Sequence, residues 1–300
     1  FLVLFFGYFA QISDNINRLA ELSQDYMIAR QSLGRMKEIT DVSITIDDDS
    51  GKRAFPKSWE TLTLSNVSFH YHDKDVLKKI NLEIKRGEKI GIVGLSGAGK
   101  STLFKLLLKE YEDYTGDIVV NDVPLKGIKR SAYLDHIAVV MQETEVFNFS
   151  LKENIVMANP SAGRDKAFLA RAMQTAHVSD FVSKLPEGIE TLIGEKGVKL
   201  SGGEKQRLGI ARAIFKQPEI LFMDEATSHL DLESEEKIRD SLNKLFKGIT
   251  AVVIAHSHTT IKQMDRIIVL EGGRIIEQGS FDELMKQEGR FYTLWQKQQL

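Results

Sequence analysis

Short apolar runs, separated by stretches with helical periodicity, follow one another through the second half of the chain. Ile220–Met223, Ala251–Ile254 and Ile267–Leu270 are runs of this kind, and Ile90–Val93 is a similar run nearer the start. Strands that are apolar at every position are typical of a parallel sheet that is covered on both faces. The pattern predicts an α/β fold with a largely parallel central sheet.

Two further patterns add a second strand layer and a helical insert. Apolar and polar residues nearly alternate over residues 62–69 and 80–84, which predicts an antiparallel layer. Residues 117–120 and 137–141 have the composition of further strands. Residues 151–215 are predicted to be mostly helical, and two short helices are expected after a hairpin turn at residues 271–274.

The first forty residues predict one long helix. Phe1–Ala10 is almost wholly apolar, but no positively charged stretch precedes it, so it does not resemble a signal peptide. About ten apolar residues cannot cross a bilayer, which needs about twenty, and we interpret them as the last half of a spanning helix that extends into the cytosol. A coiled-coil or core helix is the alternative, because apolar residues recur at spacings of three and four: Ile12, Leu19, Leu22, Tyr26, Ala29, Leu33 and Met36.

These patterns divide the chain into three parts. Residues 1–40 are expected to be the end of a truncated membrane domain. Residues 41–59 carry charge and turn formers without periodicity, and are predicted to be a linker. Residues 60–300 are predicted to form one domain, with a helical subdomain at about residues 151–215.

Composition narrows the classes of partner and site. The 300 residues have 42% hydrophobic content and a formal net charge of -2, so the chain can bury a sizeable core and has no basic excess that would favour nucleic acid. The absence of cysteine excludes disulfides and Cys-based zinc sites. A globular domain exposed to the cytosol is the default expectation.

A G-x-x-x-x-G-K-[ST] sequence lies between the apolar run Ile90–Val93 and a helical pattern that begins at Leu103. Its glycines let successive backbone N–H groups turn toward one anion, and the helix start adds the positive end of its dipole. Lysine suits phosphate charge, and the serine hydroxyl suits Mg²⁺. A nucleoside triphosphate is the expected ligand of this phosphate loop, which consists of Gly94, Leu95, Ser96, Gly97, Ala98, Gly99, Lys100, Ser101 and Thr102.

Two carboxylates follow the buried strand predicted at Ile220–Met223. Parallel strands place ligands at their carboxyl ends, so Asp224 and Glu225 are expected beside the phosphate loop. Asp224 is a candidate Mg²⁺ ligand, and Glu225 is a candidate to accept a proton from an attacking water or to orient it. A solvated turn is the alternative when the pair is taken alone.

A second anion-seeking helix start is predicted at Leu200–Arg207, where a glycine-containing segment gives way to a helical pattern with Ser201 as the N-cap. A capped N-terminus is usually structural. The position of this segment relative to the other motifs suggests a functional role in addition to a structural one.

Together these motifs resemble the ATP-binding cassette family in order and approximate spacing. The resemblance covers about residues 60–295, and the exporter branch of the family has a last transmembrane helix that runs directly into the nucleotide-binding domain. The stretch at Leu200–Glu204 after a phosphate loop is highly specific to this family. The motifs that carry the resemblance are the phosphate loop, Gln142, Leu200–Glu204, Met223–Glu225, Ser228–Asp231 and His256.

The resemblance implies ATP and Mg²⁺ as cofactors. Tyr71 resembles the aromatic residue that stacks on adenine, and Lys100 and Thr102 resemble phosphate ligands. Ser101 and Gln142 match the positions that contact Mg²⁺, and Gln142 also opens the loop that touches the membrane domain. The fold implied is a P-loop cassette with an antiparallel β layer and an inserted helical subdomain.

Other roles follow from the same resemblance. Glu225 matches the residue that activates water, and His256 matches the switch histidine that contacts the γ-phosphate. Asp231 matches the loop that joins two copies, and Glu195 resembles the exporter segment that contacts the coupling helices. The signature that closes over ATP bound to a second copy is matched by Ser201, Gly202, Gly203 and Glu204.

In family terms, two chains would enclose two ATP molecules head to tail and drive the transmembrane domains of an exporter. The expected partners are a second nucleotide-binding domain, identical or not, and the transmembrane domains of both copies. The expected location is a membrane, with this domain on its cytoplasmic face, or the inner membrane in a bacterium. The alternatives are a non-transport ATPase of the same fold, acting on DNA, ribosomes or proteins, and a nucleotide-binding module without turnover.

The chain departs from the family pattern at three places. The family often has Gln at the position of Glu204, Ala at that of His229 and Arg-Leu-Ser at residues 257–259. None of these departures removes a phosphate, metal or proton-transfer group, so catalytic competence is still expected.

Overall fold

The computed structural model describes residues 2–41, 49–71, 74–163, 165–224, 232–255 and 257–297, with the side chains of 232–235 excepted. The described residues fall into two compact units. The first consists of the N-terminal helix, and the second comprises the described residues from 49 to 297.

A single helix, α1 (Leu2–Thr40), makes up the first unit, which confirms the helix predicted there. Its apolar side chains are exposed over its whole length, including Phe5, Phe9, Leu22 and Leu33. Within the part of the chain that the structure describes, no helix is both long enough and apolar enough to cross a bilayer. Its assignment to a membrane domain therefore stays a prediction.

The second unit contains a six-stranded sheet with the order β10-β9-β3-β8-β7-β6. Five of these strands are parallel, and β10 pairs with β9 in the antiparallel sense. The largely parallel sheet is thus confirmed, with the strands β3 (Lys89–Val93), β6 (Ile137–Val140), β7 (Ile220–Asp224), β8 (Thr250–Ile254), β9 (Arg266–Glu271) and β10 (Arg274–Gly279).

An antiparallel sheet with the order β2-β1-β4-β5 forms a separate layer, as the alternating pattern predicted. Along β1, Leu62, Leu64, Val67 and Phe69 are buried, whereas the residues between them are partly or fully exposed. The strands are β1 (Thr61–Tyr71), β2 (Lys74–Lys85), β4 (Thr115–Val120) and β5 (Val123–Pro124).

Ten further helices belong to the described part of the second unit. Residues 151–215 are mostly helical as predicted, with two non-α-helical stretches: one between α4 and α5 contains the 3-10 helix Pro160–Ala162, and residues 183–201 contain turns and the 3-10 helix Gly188–Glu190. The helices are α2 (Lys100–Leu107), α3 (Arg130–Asp135), α4 (Leu151–Val156), α5 (Lys166–Thr175), α6 (Ser179–Val182), α7 (Gly202–Lys216), α8 (Leu232–Leu245), α9 (His258–Ile261), α10 (Phe281–Gln287) and α11 (Arg290–Gln296).

Two hydrophobic cores lie on opposite faces of the parallel sheet, which explains why its strands are apolar at every position. Strand β7 shows the alternation: Leu221 and Met223 belong to the core shared with the helical segment, and Phe222 belongs to the core shared with the antiparallel layer. Phe104 of α2 meets Phe222 edge to face at 5.5 Å between ring centroids. This packing fixes the helix that follows the phosphate loop against the sheet.

The predicted linker, from residue 49 onwards, belongs to the second unit. Asp49 accepts hydrogen bonds from the backbone N–H of Ser131 at 3.2 Å and from its hydroxyl at 2.6 Å. Phe55 and Trp59 are buried, and Phe55 stacks on His136 with 4.7 Å between centroids. The interval predicted to be a linker therefore supplies core side chains from Phe55 onwards.

Candidate functional site

The phosphate loop leaves β3 and enters α2, as its sequence predicted, and two glycines in it have no substitute. Gly94 has a φ of 153°, and a Cβ atom there would overlap the carbonyl of Leu270. Gly99 has a φ of 107°, and a Cβ there would lie 2.8 Å from Cδ2 of Leu77. Both positions combine a left-handed backbone with a close approach of neighbouring chain, so only glycine fits.

The ammonium group of Lys100 lies inside the loop. Its side chain is buried, and Nζ donates hydrogen bonds to the carbonyl of Gly94 and, at 3.2 Å, to that of Leu95. Lys100 is also the first residue of α2, so its charge and the positive end of the helix dipole are directed at the same place. The arrangement suits a phosphate group.

Asp224 and Gln142 line the same cavity as the phosphate loop. Asp224 is the last residue of β7, and Gln142 follows the neighbouring parallel strand β6, so sheet topology brings both to the carboxyl edge, as the sequence predicted for Asp224. The cavity has a volume of about 550 Å³ and is lined by Lys74, Asp75, Val76, Lys78, Ser96, Gly97, Ala98, Gly99, Lys100, Ser101, Thr102, Gln142, Asp224, Ile254, Gly272 and Gly273.

The donor set of this cavity fits a nucleotide-bound magnesium ion. It combines the hydroxyl of Ser101, the side-chain amide of Gln142 and the carboxylate of Asp224. Mg²⁺ prefers oxygen ligands and is usually held by one or two carboxylates together with substrate phosphates. Among the described residues, no group of three or more His, Cys, Asp or Glu side chains is placed to hold a metal ion without ligands from a bound nucleotide.

Part of the cavity wall was not predicted from the sequence. Lys74 and Lys78 come from β2, and Gly272 and Gly273 form the turn between β9 and β10. The turn is tied to the loop because the N–H of Gly273 donates to the carbonyl of Ala98 at 3.2 Å, and the N–H of Lys78 donates to that of Gly273 at 2.8 Å. In the sequence, Gly272 and Gly273 predicted a hairpin turn but not a place in the cavity wall.

Among the described residues that line the cavity, neither Tyr71 nor any residue of the signature segment (Leu200–Glu204) occurs. Tyr71 packs edge to face against Phe69 at 4.9 Å and against Tyr111 at 5.4 Å. Its hydrogen bond with Tyr111 raises the pKa of the Tyr111 hydroxyl. Tyr71 is nevertheless the strand partner of Lys74, which does line the cavity.

The signature segment begins α7 with a reciprocal cap. The N–H of Ser201 donates to Oε2 of Glu204 at 2.8 Å, and the N–H of Glu204 donates to the Ser201 hydroxyl at 3.4 Å. Ser201 and Gly202 are exposed, whereas Gly203 is buried. The predicted N-cap is confirmed. The predicted site residues Glu225, Asp231 and His256 lie outside the described residues.

Comparison with known proteins identifies the relatives of this chain. Residues 77–228 match a family model described as ABC transporter. The chain is 38% identical over 283 residues to an ATP-dependent lipid A-core flippase of Syntrophus aciditrophicus (strain SB), which covers 94% of this chain and 47% of the flippase. It is 40% identical over 285 residues to the alpha-hemolysin translocation ATP-binding protein HlyB of Escherichia coli, covering 94% of this chain and 40% of HlyB.

A solved structure described as a bacterial Atm1-family ABC exporter with ATP bound superimposes on the chain with a TM-score of 0.82 at 34% identity. The match covers 92% of this chain and 48% of that one. The chain thus spans less than half the length of each of these three relatives.

Proposed function

This chain belongs to the ABC transporter family and carries its ATP-binding, ATP-hydrolysing domain, and we propose that it is the motor of an exporter and lies on the cytoplasmic face of a membrane. The two full-length relatives named above are described as a lipid A-core flippase and as an alpha-hemolysin translocation protein. The proposal for this chain is limited to the part they share with it. ATP hydrolysis on the cytoplasmic face would drive membrane domains between inward-facing and outward-facing states.

One observation supports the proposal most directly. The phosphate loop, Gln142 and Asp224 come from three separate parts of the sequence and line one cavity. A loop that merely turned the chain would not need an anion cradle, an oxygen-donor amide and a carboxylate at the same sheet edge.

In this proposal the residues of the cavity divide the work of phosphoryl transfer. Lys100 and Thr102 would bind the phosphates, and Ser101, Gln142 and Asp224 would hold Mg²⁺, which would offset negative charge on the phosphate oxygens. Glu225 accepts a proton from the water that attacks the γ-phosphate in line. His256 donates a hydrogen bond to that phosphate. The roles of Glu225 and His256 rest on the family motifs alone, whereas those of the other residues also rest on the cavity that they line.

A second copy completes the proposed site. The exposed Ser201 and Gly202 are not among the described residues that line this chain's own cavity. Their location agrees with a head-to-tail pair, in which each signature segment (Leu200–Glu204) closes over nucleotide bound by the opposite chain and Asp231 joins the two copies. One full set of motifs makes a homodimer sufficient.

The substitution Glu225→Gln tests the hydrolytic step. An amide keeps the shape of the carboxylate but cannot accept a proton, so ATP binding should persist while turnover falls by about 100-fold or more. Phosphate release and equilibrium ATP binding are the measurements, and Glu236→Gln, at an exposed position of α8, is the control. Near wild-type phosphate release from Glu225→Gln would remove Glu225 from the mechanism.

The gene tests the membrane part of the proposal. Several apolar spans of about twenty residues upstream of the codon for Phe1 are expected, since each spanning helix needs that length. Their absence would overturn the assignment to an exporter and would favour a non-transport ATPase of the same fold.

A further inference from the structure

One face of α7 lies along the segment Met141–Phe147, which contains Gln142 and is called here the Gln142 segment. Three helix residues spaced by three make the contact. Gln206 donates through Nε2 to the carbonyl of Met141 at 3.4 Å, and Arg212 reaches the far end of the segment. Between them, a Cβ atom placed on Gly209 would lie only 2.6 Å from Oγ1 of Thr144.

Arg212 binds this segment and α4 at once. Its guanidinium donates to the carbonyl of Glu145 at 2.6 Å, to the carbonyl of Asn154 at 2.7 Å and to the Asn154 side-chain oxygen at 2.6 Å. It also lies 5.4 Å from the centroid of the Phe147 ring. Five donors in a rigid fork make such a three-way contact feasible for arginine and not for lysine.

Asn154 fixes the end of the same segment from within the protein. It is fully buried, and its Oδ1 accepts the backbone N–H of Phe147 at 3.0 Å. Its Nδ2 donates to the carbonyl of Phe147 at 2.9 Å and to those of Phe149 and Ser150 at 3.3 and 3.0 Å. A buried amide with all its groups paired holds its neighbours in one arrangement, because any shift leaves a polar group unpaired.

Burial lowers the pKa of Arg212 to about 10, so the group remains charged at neutral pH in a site that disfavours charge. Well-packed apolar residues are often no less stabilising than a buried ion, so stability alone does not account for this cation. The neighbours of Arg212 point to a role in geometry: among the residues that the structure describes, its hydrogen bonds end on the Gln142 segment or on Asn154.

We infer that Arg212 and Asn154 are positioning residues for Gln142. They hold the Gln142 segment against α7, so that the side chain proposed to contact Mg²⁺ is fixed relative to the helix that Ser201 caps. The inference rests on the proposed function for the role of Gln142, but the holding contact itself does not depend on nucleotide.

Amide hydrogen exchange without nucleotide tests the holding contact. The Phe147 amide, which donates to Asn154, should exchange about tenfold faster in Arg212→Lys than in the wild type, while amides within α7 keep their protection. Arg266→Lys is the matched control, because Arg266 also makes several hydrogen bonds, to Glu88, Gln278 and the carbonyl of Glu83, at a place remote in sequence from this segment. Unchanged exchange at residues 145–149 in Arg212→Lys would overturn the inference.

The magnesium requirement tests the effect on Gln142. Loss of an outer partner of a metal ligand typically lowers metal affinity by about tenfold or more. Arg212→Lys should therefore raise the Mg²⁺ concentration for half-maximal ATPase activity by about tenfold, with ATP affinity in EDTA unchanged. In a Gln142→Ala background it should add nothing, since it acts through Gln142. Independent, multiplicative effects would show that Arg212 acts elsewhere.

A pair of small substitutions approaches the same contact without removing a polar group. Gly209→Ala should push the Gln142 segment away from α7 and raise the Mg²⁺ requirement, although alanine favours the helix. Thr144→Ala should restore it, because the new Cβ would then face only the Thr144 Cβ position at 3.5 Å. Gly34→Ala, in a helix where a Cβ meets nothing within 4 Å, is the control.

The role proposed for Gln142 and the positioning role inferred for Arg212 can be disproved independently. If Gln142→Ala itself leaves the Mg²⁺ requirement unchanged, the role proposed for Gln142 is wrong, and exchange at Phe147 still decides whether Arg212 holds the segment. If Gln142→Ala raises the requirement but Gly209→Ala and Arg212→Lys do not, the proposed function stands and this inference is overturned.

Discussion

Ser201 and Glu204 cap each other at the start of α7: the backbone N–H of Ser201 and its hydroxyl both donate to Oε2 of Glu204 at 2.8 Å. In return the backbone N–H of Glu204 donates to the Ser201 hydroxyl at 3.4 Å. This capping box pairs N–H groups that the first helical turn would otherwise leave without partners. It also gives a structural reason for a glutamate where the family often has glutamine, because either side chain offers the accepting oxygen.

Substitutions of Glu204 should show whether its role is to cap the helix or depends on its charge. Glu204→Gln should keep the box and leave ATPase activity and the free energy of unfolding close to wild type. Glu204→Ala should lower the free energy of unfolding by about 1 kcal/mol through loss of the cap. Urea unfolding and phosphate release measure the two effects. A large loss of activity in Glu204→Gln, with stability unchanged, would show that the charge of Glu204 matters and that the cap does not explain it.

The sequence predicted the site best where its parts are contiguous or follow from sheet topology. Gly94–Thr102 is one uninterrupted motif, and its strand and helix could be recognised on either side. Asp224 could be placed beside it because carboxyl ends of parallel strands share an edge. Lys78 and Gly273 could not be placed there, because a hydrogen bond between β2 and the β9–β10 turn brings together residues that lie far apart along the chain.

Contacts within the helical segment could not be predicted from the sequence for the same reason. Arg212 and Asn154 lie 58 residues apart, and neither belongs to a pattern that signals a shared network. Phe55 and Trp59 were predicted to lie in a linker, because charged residues and turn formers dominate the sequence before them. Their burial depends on a surface that only the folded antiparallel layer and α3 provide.

Tyr71→Ala should weaken nucleotide binding more than it slows turnover. An aromatic ring that stacks on a base contributes about 1 to 3 kcal/mol, and a residue that touches no reacting atom changes kcat little. Tyr71→Phe, which keeps the ring and its packing on Phe69, is the control. Equilibrium ATP titration gives the affinity. An unchanged dissociation constant in Tyr71→Ala would count against the assignment of Tyr71 to adenine.

Asp49 should give the free energy of unfolding a specific dependence on acid pH. Its hydrogen bond from the Ser131 hydroxyl, with those from the Arg130 and Ser131 backbone, lowers its pKa from 3.8 to about 2. The folded pKa lies below the unfolded one, so the stabilisation is complete above about pH 4 and is lost as pH falls toward 2.

Asp49→Asn tests this dependence. The variant should be less stable than the wild type by a constant amount above about pH 5, and the difference should shrink as pH falls below 4. Urea unfolding at several pH values measures it. Asp282→Asn, at an exposed carboxylate in the first turn of α10, is a control for loss of a charge near a helix start. A difference independent of pH would mean that Asp49 acts as a neutral acceptor.

The shared site predicts that specific ATPase activity rises with protein concentration. In the proposed head-to-tail pair each nucleotide contacts both copies, so ATP should promote their association. Bound ATP favours the closed pair only by its differential affinity for it. Activity should therefore increase until the dimer saturates, as measured by phosphate release across a dilution series.

Mixing two inactive chains decides which copy supplies which residue. Ser201→Arg places a bulky cation against the partner's nucleotide, and Lys100→Ala removes a chain's own phosphate contact, so each variant should be nearly inactive alone. In the mixed pair both lesions fall in one composite site, and the other keeps an intact Lys100 and an intact Ser201. Partial activity should therefore return. As a control, Lys100→Ala mixed with Lys100→Ala/Ser201→Arg leaves no site intact and should stay inactive. If Ser201→Arg alone hydrolyses ATP normally and activity does not change with concentration, the signature segment does not act on a partner's nucleotide, and the head-to-tail model must be abandoned.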